Sequence, residues 1–378
     1  MNVSHRISEL RSFMNIEGIE ATIVSNPDHQ YYVSGFKALL YSRPIIYVLD
    51  DQNSHLIVPA LEEVHAKDEA KIDYIHVYFE HPERADEGIS PYQHLKTLLK
   101  NYKTGSKIGV DMASTPAEQV VFIRELGLEI VDIGKKIMEM RYVKDEEELK
   151  LIEEAGYLAN VAVRESLNAC EVGITEIEID ARGNIAVFKE TAKKYPNATL
   201  DLIVMSPSGV ERTIMPHVFS NTRQVRTGDI IIHSRQVALN GYRAELERTI
   251  VIGELTKEQK KGFEAAKIAQ QAAMDFIKPG VTAAEVDEVS RSILKKEGFA
   301  DYAIHRVGHG IGISAHEEPS LRFDNNLILK ENMVFTIEPG IFIPGVGGFR
   351  HSDTLILTKN GSRRITEYPS ELEDLTYS

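Results

Sequence analysis

The sequence predicts an α/β domain over residues 1–140 followed by a larger α+β domain over residues 141–378. A chain of 378 residues has room for two domains of about 150 residues or more. Its first third alternates short β-rich runs with amphipathic stretches, whereas in the remainder long helices and mostly antiparallel strand pairs segregate along the chain.

In the first domain ATIVSN (21–26), IIYVLD (45–50), SHLIVPA (54–60), KIGVDM (107–112) and LEIVDI (128–133) read as strands bounded by Asn, Asp, Gly and Pro. Between the last two, Thr115-Pro116-Ala117-Glu118 places a cap residue, a proline and an acid in the order that opens a helix. From Lys144 to about Cys170 runs one long amphipathic helix with its acids in the first turn, where the helix dipole favours them; the domain boundary falls just before it. Thr256 with Gln259 and Thr282 with Glu285 are capping boxes that open two further helices, ended by Lys278-Pro279-Gly280 and Gly298. Around them DIIIHSRQVALNGYRAELERTIVIG, MVFTIEPGIFI and GGFRHSDTLILT are strand-like, with glycines at the turns.

Composition narrows the function classes. Hydrophobic residues at 43% and charged residues at 26% suit a soluble globular chain with a large core. With 57 acids against 43 bases the formal charge is −14, so neither nucleic acid nor an anionic membrane is expected as a partner. The single cysteine, Cys170, makes no internal disulfide and no Cys-rich metal knuckle. Met1 to Glu17 carries several charges and no apolar signal region, and no uncharged apolar stretch approaches ~18 residues, so a cytoplasmic protein is expected.

Ionisable side chains inside apolar strand runs need a reason. His217 in IMPHVF, Glu245 and Glu247 in GYRAELERT, His305, His309 and His316 in HRVGHGIGISAH, and Glu338 in FTIEPG are such residues. Glu245 and Glu247 lie two apart on a strand and share a face. Two carboxylates with histidines arriving from other strands can bind a metal, hold a cationic substrate or run acid/base chemistry. His305 reads as a supporting residue, and the GHGIG glycines lack the strand-to-helix setting of a phosphate loop.

The order His217, GYxxxxERT, GHGIGxxxHEEP, FTIEPG and GGFRxxD over about residues 145–378 resembles the pita-bread hydrolases, the family of Xaa-Pro dipeptidases, aminopeptidase P, methionine aminopeptidase and creatinase. The first domain resembles the one shared by creatinase and the Xaa-Pro peptidases. The resemblance implies an α+β pita-bread C-terminal domain preceded by a smaller α/β creatinase-type N-terminal domain. The family's peptidases hold two metal ions through two Asp, a His and two Glu. Those positions fall here on Ser234, Glu245, His309, Glu338 and Ser352. Two hydroxyls in place of carboxylates cannot balance two divalent cations, so a dinuclear site is not expected. A reading one residue out of step offers His233 or His351 instead, but turns them to the opposite face.

Creatinase is the branch that works without metal, and ELERT resembles its segment, with Glu247 where the peptidases usually carry Thr. This resemblance implies His217 as acid/base, Glu247 and Glu338 as a clamp for a cationic group, and His309 as a hydrogen-bond partner. Glu245, His316 and Arg350 would border the substrate, Arg350 alternatively serving as an internal ion pair with Glu338 or Glu247. LLYSRP resembles creatinase's SFGRP, and this resemblance implies that Tyr41 and Arg43 reach a neighbouring subunit's site in a homodimer. The expected function is a creatinase-like hydrolase that cleaves a C–N bond of a small carboxylate-bearing guanidino, amidino or amide compound without a cofactor. Ser352, Arg243 and the lack of an insertion after His316 depart from creatinase and set creatine itself aside. Two other readings stand beside it: a divergent Xaa-Pro dipeptidase or aminopeptidase with a single metal on Glu245, His309 and Glu338, and a non-catalytic binding module.

Overall fold

The computed structural model describes residues 2–39 and 42–377. The chain forms two compact units, Met1–Arg141 and Tyr142–Ser378.

The first unit is built on strands β1 (Ile19–Val24), β2 (Ile46–Asp50), β3 (Ser54–Pro59), β4 (Tyr74–Tyr78), β5 (Lys107–Val110) and β6 (Glu129–Asp132). They form one six-stranded sheet in the order β4-β3-β2-β1-β5-β6. Strand β1 is antiparallel to β2 and parallel to β5, so the sheet is mixed. Its helices are α1 (Val3–Glu17), α2 (Pro27–Ser34), α3 (Glu63–Glu69), α4 (Pro91–Leu99), α5 (Ala117–Glu125) and α6 (Gly134–Met140). Ala21, Ile23, Ile57, Ile108 and Val110 from the sheet pack with Leu95, Leu99 and Ile123 from α4 and α5. Two details differ from the sequence reading. Strand β4 is an additional edge strand whose residues are mostly half-exposed, so no apolar face marks it. Helix α5 starts one residue later than expected: Pro116 is extended (φ −54, ψ 138) and occupies the cap position with no side-chain cap.

The second unit begins with α7 (Glu146–Leu167) and α8 (Glu176–Lys194), continues through β7 (Leu200–Met205), β8 (Ile230–Leu239) and β9 (Tyr242–Ile252), and then α9 (Lys257–Phe276) and α10 (Ala283–Lys296). The remaining strands are β10 (Gly308–Gly310), β11 (Glu317–Leu321), β12 (Val334–Ile337), β13 (Gly340–Ile343), β14 (Gly347–Arg350), β15 (Ser352–Thr358), β16 (Gly361–Arg364) and β17 (Thr376–Tyr377). All four long helices open with reciprocal capping boxes, including the expected Thr256/Gln259 and Thr282/Glu285 pairs. A nine-stranded sheet runs β11-β10-β12-β15-β9-β8-β7, with β16 on β15 and β17 on β9. One core packs α9 and α10 (Ala273, Met274, Val286) against Phe335, Ile337, Leu355 and Leu357 of the sheet. Among the described residues no helix is long and apolar enough to cross a membrane.

Three local features position the side chains that matter. The β8–β9 hairpin turns at Asn240-Gly241, both at positive φ (47° and 87°), the conformation of a two-residue turn that matches strand twist. That turn sets the register, pairing Ser234 with Glu247 and Gln236 with Glu245. The runs MVFTIEPGIFI and GGFRHSDTLILT, each read as one strand, are broken at Glu338-Pro339 and His351, and β13 pairs with β14 as a separate hairpin. Pro339 cannot donate to a ladder, and the break leaves the Glu338 amide bonded to the Val307 carbonyl at 2.7 Å. Finally, β10 is wedged between β11 and β12: a Cβ on Gly308 would lie 2.0 Å from the Thr336 oxygen, and one on Gly310 2.8 Å from the Glu318 oxygen. The GHGIG glycines serve close strand approach and leave His309 as the only large side chain of β10.

Gly308→Ala should therefore cost about 3 kcal/mol in denaturant unfolding, the upper end of an overpacked core. Gly361→Ala, where nothing lies within 4 Å, should leave the unfolding midpoint nearly unchanged.

Candidate metal centre

The sheet order β10-β12-β15-β9 brings together Glu245 (β9), His309 (β10) and Glu338 (just after β12). One ligand atom from each lies within 4.8 Å of the others, and all three residues are buried. The His309 Nδ1 faces the Gly310 carbonyl at 2.8 Å, which holds a proton there and turns the Nε2 lone pair inward. Nε2 is 3.1 Å from Glu338 Oε1, yet no aligned hydrogen bond satisfies it. The two oxygens of Glu245 accept from the Ser352 hydroxyl and the Gln236 amide, each at 2.6 Å. Its backbone is clamped by Thr354, which exchanges two bonds of 2.8 Å with the Glu245 amide and carbonyl.

Burial and mutual charge set the protonation of these three groups. Burial, and after it the charge of Glu338, push the Glu245 carboxyl up. Burial also opposes ionisation of Glu338, but His309 and then Arg350 outweigh it and hold that carboxyl well below the usual range. His309 is pushed down by burial and raised more strongly by Glu338. Two close carboxylates and an inward-facing imidazole nitrogen form an oxygen–nitrogen donor set suited to a borderline divalent cation.

Glu247 lies beside them, with both oxygens gripped by Arg350, Nε at 2.6 Å and Nη2 at 2.9 Å. Burial pushes the Glu247 carboxyl up to about 7 against the pull of Arg350, while the carboxylates raise the guanidinium in return. Arg350 Nη1 also lies 3.7 Å from Glu338 Oε2. Of the two arrangements the sequence left open for Arg350, the structure has the internal ion pair. Glu247, expected as part of a substrate clamp, has both oxygens engaged by this fork.

Imidazoles lead outward from the cluster. The exposed His316 lies against His309 with ring centroids 4.1 Å apart and the planes tilted by 46°, and the exposed His217 follows at 6.3 Å from His316. Partial burial first, and then His309, push His316 down to about 4, so it is neutral at ordinary pH. His305 is half-buried and bonds the Arg306 carbonyl through Nδ1 at 2.6 Å. His233 and His351 point away from the cluster, His233 to Ser206 at 2.8 Å and His351 edge-on to Phe263 at 4.9 Å. In the N-terminal unit Arg43 pairs with Glu80 at 2.7 Å, and Tyr41 lies outside the described residues. Gln236, which steadies Glu245 and also reaches the Ala315 carbonyl at 3.3 Å, escapes the sequence reading. Counting back from Asn240-Gly241 across a two-residue turn would have found it opposite Glu245.

A broken sheet built round a buried carboxylate–imidazole cluster is a candidate metal centre, and comparison with known proteins identifies the family. The model of metallopeptidase family M24 matches residues 150–359 and that of the creatinase/prolidase N-terminal domain matches residues 6–143. The chain belongs to metallopeptidase family M24. It is 31% identical over 371 residues to the Xaa-Pro dipeptidase of Pyrococcus furiosus, covering 98% of this chain and all of that one. It is 30% identical to the Xaa-Pro dipeptidase of Lactobacillus delbrueckii subsp. lactis, with 98% of each covered. The crystal structure of the prolidase from Pyrococcus horikoshii OT3 superposes with a TM-score of 0.85 at 29% identity, covering 97% of this chain and 99% of that one. The expected architecture, a creatinase-type N-terminal domain followed by a pita-bread domain, and the expected class, a hydrolase of C–N bonds, both hold.

Two expectations are corrected. The metal-free creatinase-like function is overturned by relatives that are named Xaa-Pro dipeptidases over the full chain length. The expected absence of a cofactor is overturned by the same relatives, which belong to a metallopeptidase family, together with the Glu245–His309–Glu338 cluster, a set of donors that could hold a metal ion. The creatinase reading weighted the ELERT resemblance, but Glu247 within it answers to Arg350.

Gln236→Leu should weaken Mn²⁺ binding about 10- to 100-fold by isothermal titration, as loss of a residue that orients a ligand does, with circular dichroism unchanged.

Proposed function

We propose that the protein hydrolyses Xaa-Pro dipeptides with one divalent cation held by Glu245, His309 and Glu338. The observation that carries this reading is the convergence of the three buried donors within 4.8 Å; the relatives named Xaa-Pro dipeptidase support the substrate class. When bound, a divalent cation polarises the peptide carbonyl and makes a nucleophile of water.

The chain's own residues do the rest. Gln236, Ser352 and Thr354 hold Glu245 in place, and the Gly310 carbonyl holds the ring of His309 with its lone pair inward. His316, kept neutral beside His309, is suited to donate to the developing oxyanion or to return a proton to the leaving nitrogen of proline. His217, exposed beyond it, borders the approach for substrate. The reading includes a cytoplasmic homodimer in which Arg43 of one chain meets the substrate carboxylate at its neighbour's site.

Protein prepared with Mn²⁺ should cleave Xaa-Pro dipeptides, lose activity in chelator and regain it when Mn²⁺ returns. Glu338→Ala should lower kcat/KM by more than about 100-fold, beyond what loss of a supporting residue does. Turnover indifferent to chelator, or retained by Glu338→Ala, would refute the reading.

A further inference from the structure

The stretch from Ile311 to His316 joins β10 to β11 and sets His316 against the cluster, its ring 4.1 Å from that of His309. Among the described residues no hydrogen bond holds the His316 ring, so its place is set by the backbone on either side of it.

That backbone is fastened from within. Gly310 and Glu317 face each other where the turn leaves the two strands. Glu317, the residue after His316, is buried. One of its carboxylate oxygens accepts from the Ser314 amide at 3.0 Å and the other from Lys144 Nζ at 2.9 Å. The turn thus closes on its own side chain, and Lys144 neutralises the charge that closes it. The fit is tight: a Cβ on Gly312 would lie 2.9 Å from the Glu317 carboxylate and 3.0 Å from Lys144 Cε.

Lys144 is buried too, and its amide bonds the Asn332 carbonyl at 2.9 Å, just before β12. Val143 pairs with Met333, so the segment bearing Lys144 is bound to the start of the strand that leads to Glu338. On the turn's other side the Gly312 carbonyl accepts from the Arg243 amide at 2.8 Å and the Ala315 carbonyl from Gln236 at 3.3 Å. A buried ion pair adds little net stability over apolar side chains of the same volume. What it supplies here is direction, through charge-assisted bonds that fix one geometry of the turn.

We infer that Lys144 is a positioning residue: through Glu317 it fixes the turn that holds the His316 imidazole beside His309 and the scissile amide. The inference rests on the dipeptidase reading above, in which His316 serves the chemistry, and extends it to a buried residue outside the ligand set.

The test is a double-mutant cycle on Mn²⁺-loaded, full-length protein turning over an Xaa-Pro dipeptide. Lys144→Met should lower kcat about 10- to 100-fold, as misplacement of a catalytic group does. KM, and Mn²⁺ affinity by isothermal titration, should not change. On a His316→Ala background, itself well below the wild type, Lys144→Met should lower kcat no further, whereas a merely structural lysine would lower it by the same factor on both backgrounds. Lys144→Met combined with Glu317→Leu leaves no buried charge unpaired and should behave in the same way, which keeps the cycle decisive should Lys144→Met not fold. An unchanged kcat in the lysine variants, equal falls on both backgrounds, or His316→Ala that turns over like the wild type would overturn the inference and leave the metal-dependent dipeptidase reading standing. A wild type without Mn²⁺-dependent turnover would overturn both.

Discussion

Burying three carboxylates in the middle of one sheet is the constraint on which the second unit turns. An uncompensated buried charge is costly, and removing one partner of a buried ion pair typically costs about 3–5 kcal/mol. The Glu247–Arg350 fork answers part of that demand with two short bonds. The neighbouring Arg248, pointing to the other face of β9, is matched separately by Asp353 at 3.1 Å. Alternation along a strand therefore sorts charge as it sorts hydrophobicity: Glu245 and Glu247 on one face, Arg248 on the other. What the fork leaves to be matched lies between Glu245, His309 and Glu338, and the proposed cation would meet that demand.

Precision comes from backbone features distant from the ligands in sequence. The Asn240-Gly241 turn sets which residues of β8 face which residues of β9, and a slip of one residue would exchange Glu245 and Glu247 for Ala244, Leu246 and Arg248. Gly348 leaves room for the Thr213 carbonyl, which a Cβ would approach to 2.0 Å, and its amide bonds the Thr213 hydroxyl at 3.0 Å. The segment leading to His217 is thereby fastened to the strand that ends in Arg350.

Periodicity and caps made much of the architecture legible: the long helix after Lys144, the Thr256 and Thr282 helix starts, and the β8–β9 pair are all visible as local patterns. The broken strands were less so, because FTIEPGIFI is apolar on both sides of its proline and only the tertiary pairing of β13 with β14 separates them. Polar residues in apolar runs pointed to Glu245, His309 and Glu338 as a group. Their use was harder to read, since a carboxylate that binds a cation and one that binds an arginine look alike in sequence. Glu247 and Arg350 are 103 positions apart, and only strand order makes them neighbours. Gln236, an unremarkable amide in a strand, gains its meaning from a register that the turn encodes.

Ser234, Glu247 and Ser352 pair in one row across β8, β9 and β15, and that row has an evolutionary consequence. The family's two-ion pattern and this row differ on three strands that share one patch of charge, so on any path between them the order of the steps matters. Placing Glu247 beside two outer acids would crowd another buried negative charge among them, whereas loss of an outer acid first opens room for the glutamate beside Arg350. The three positions are therefore expected to drift as a set among descendants, with an acid at the centre excluding acids at the flanks.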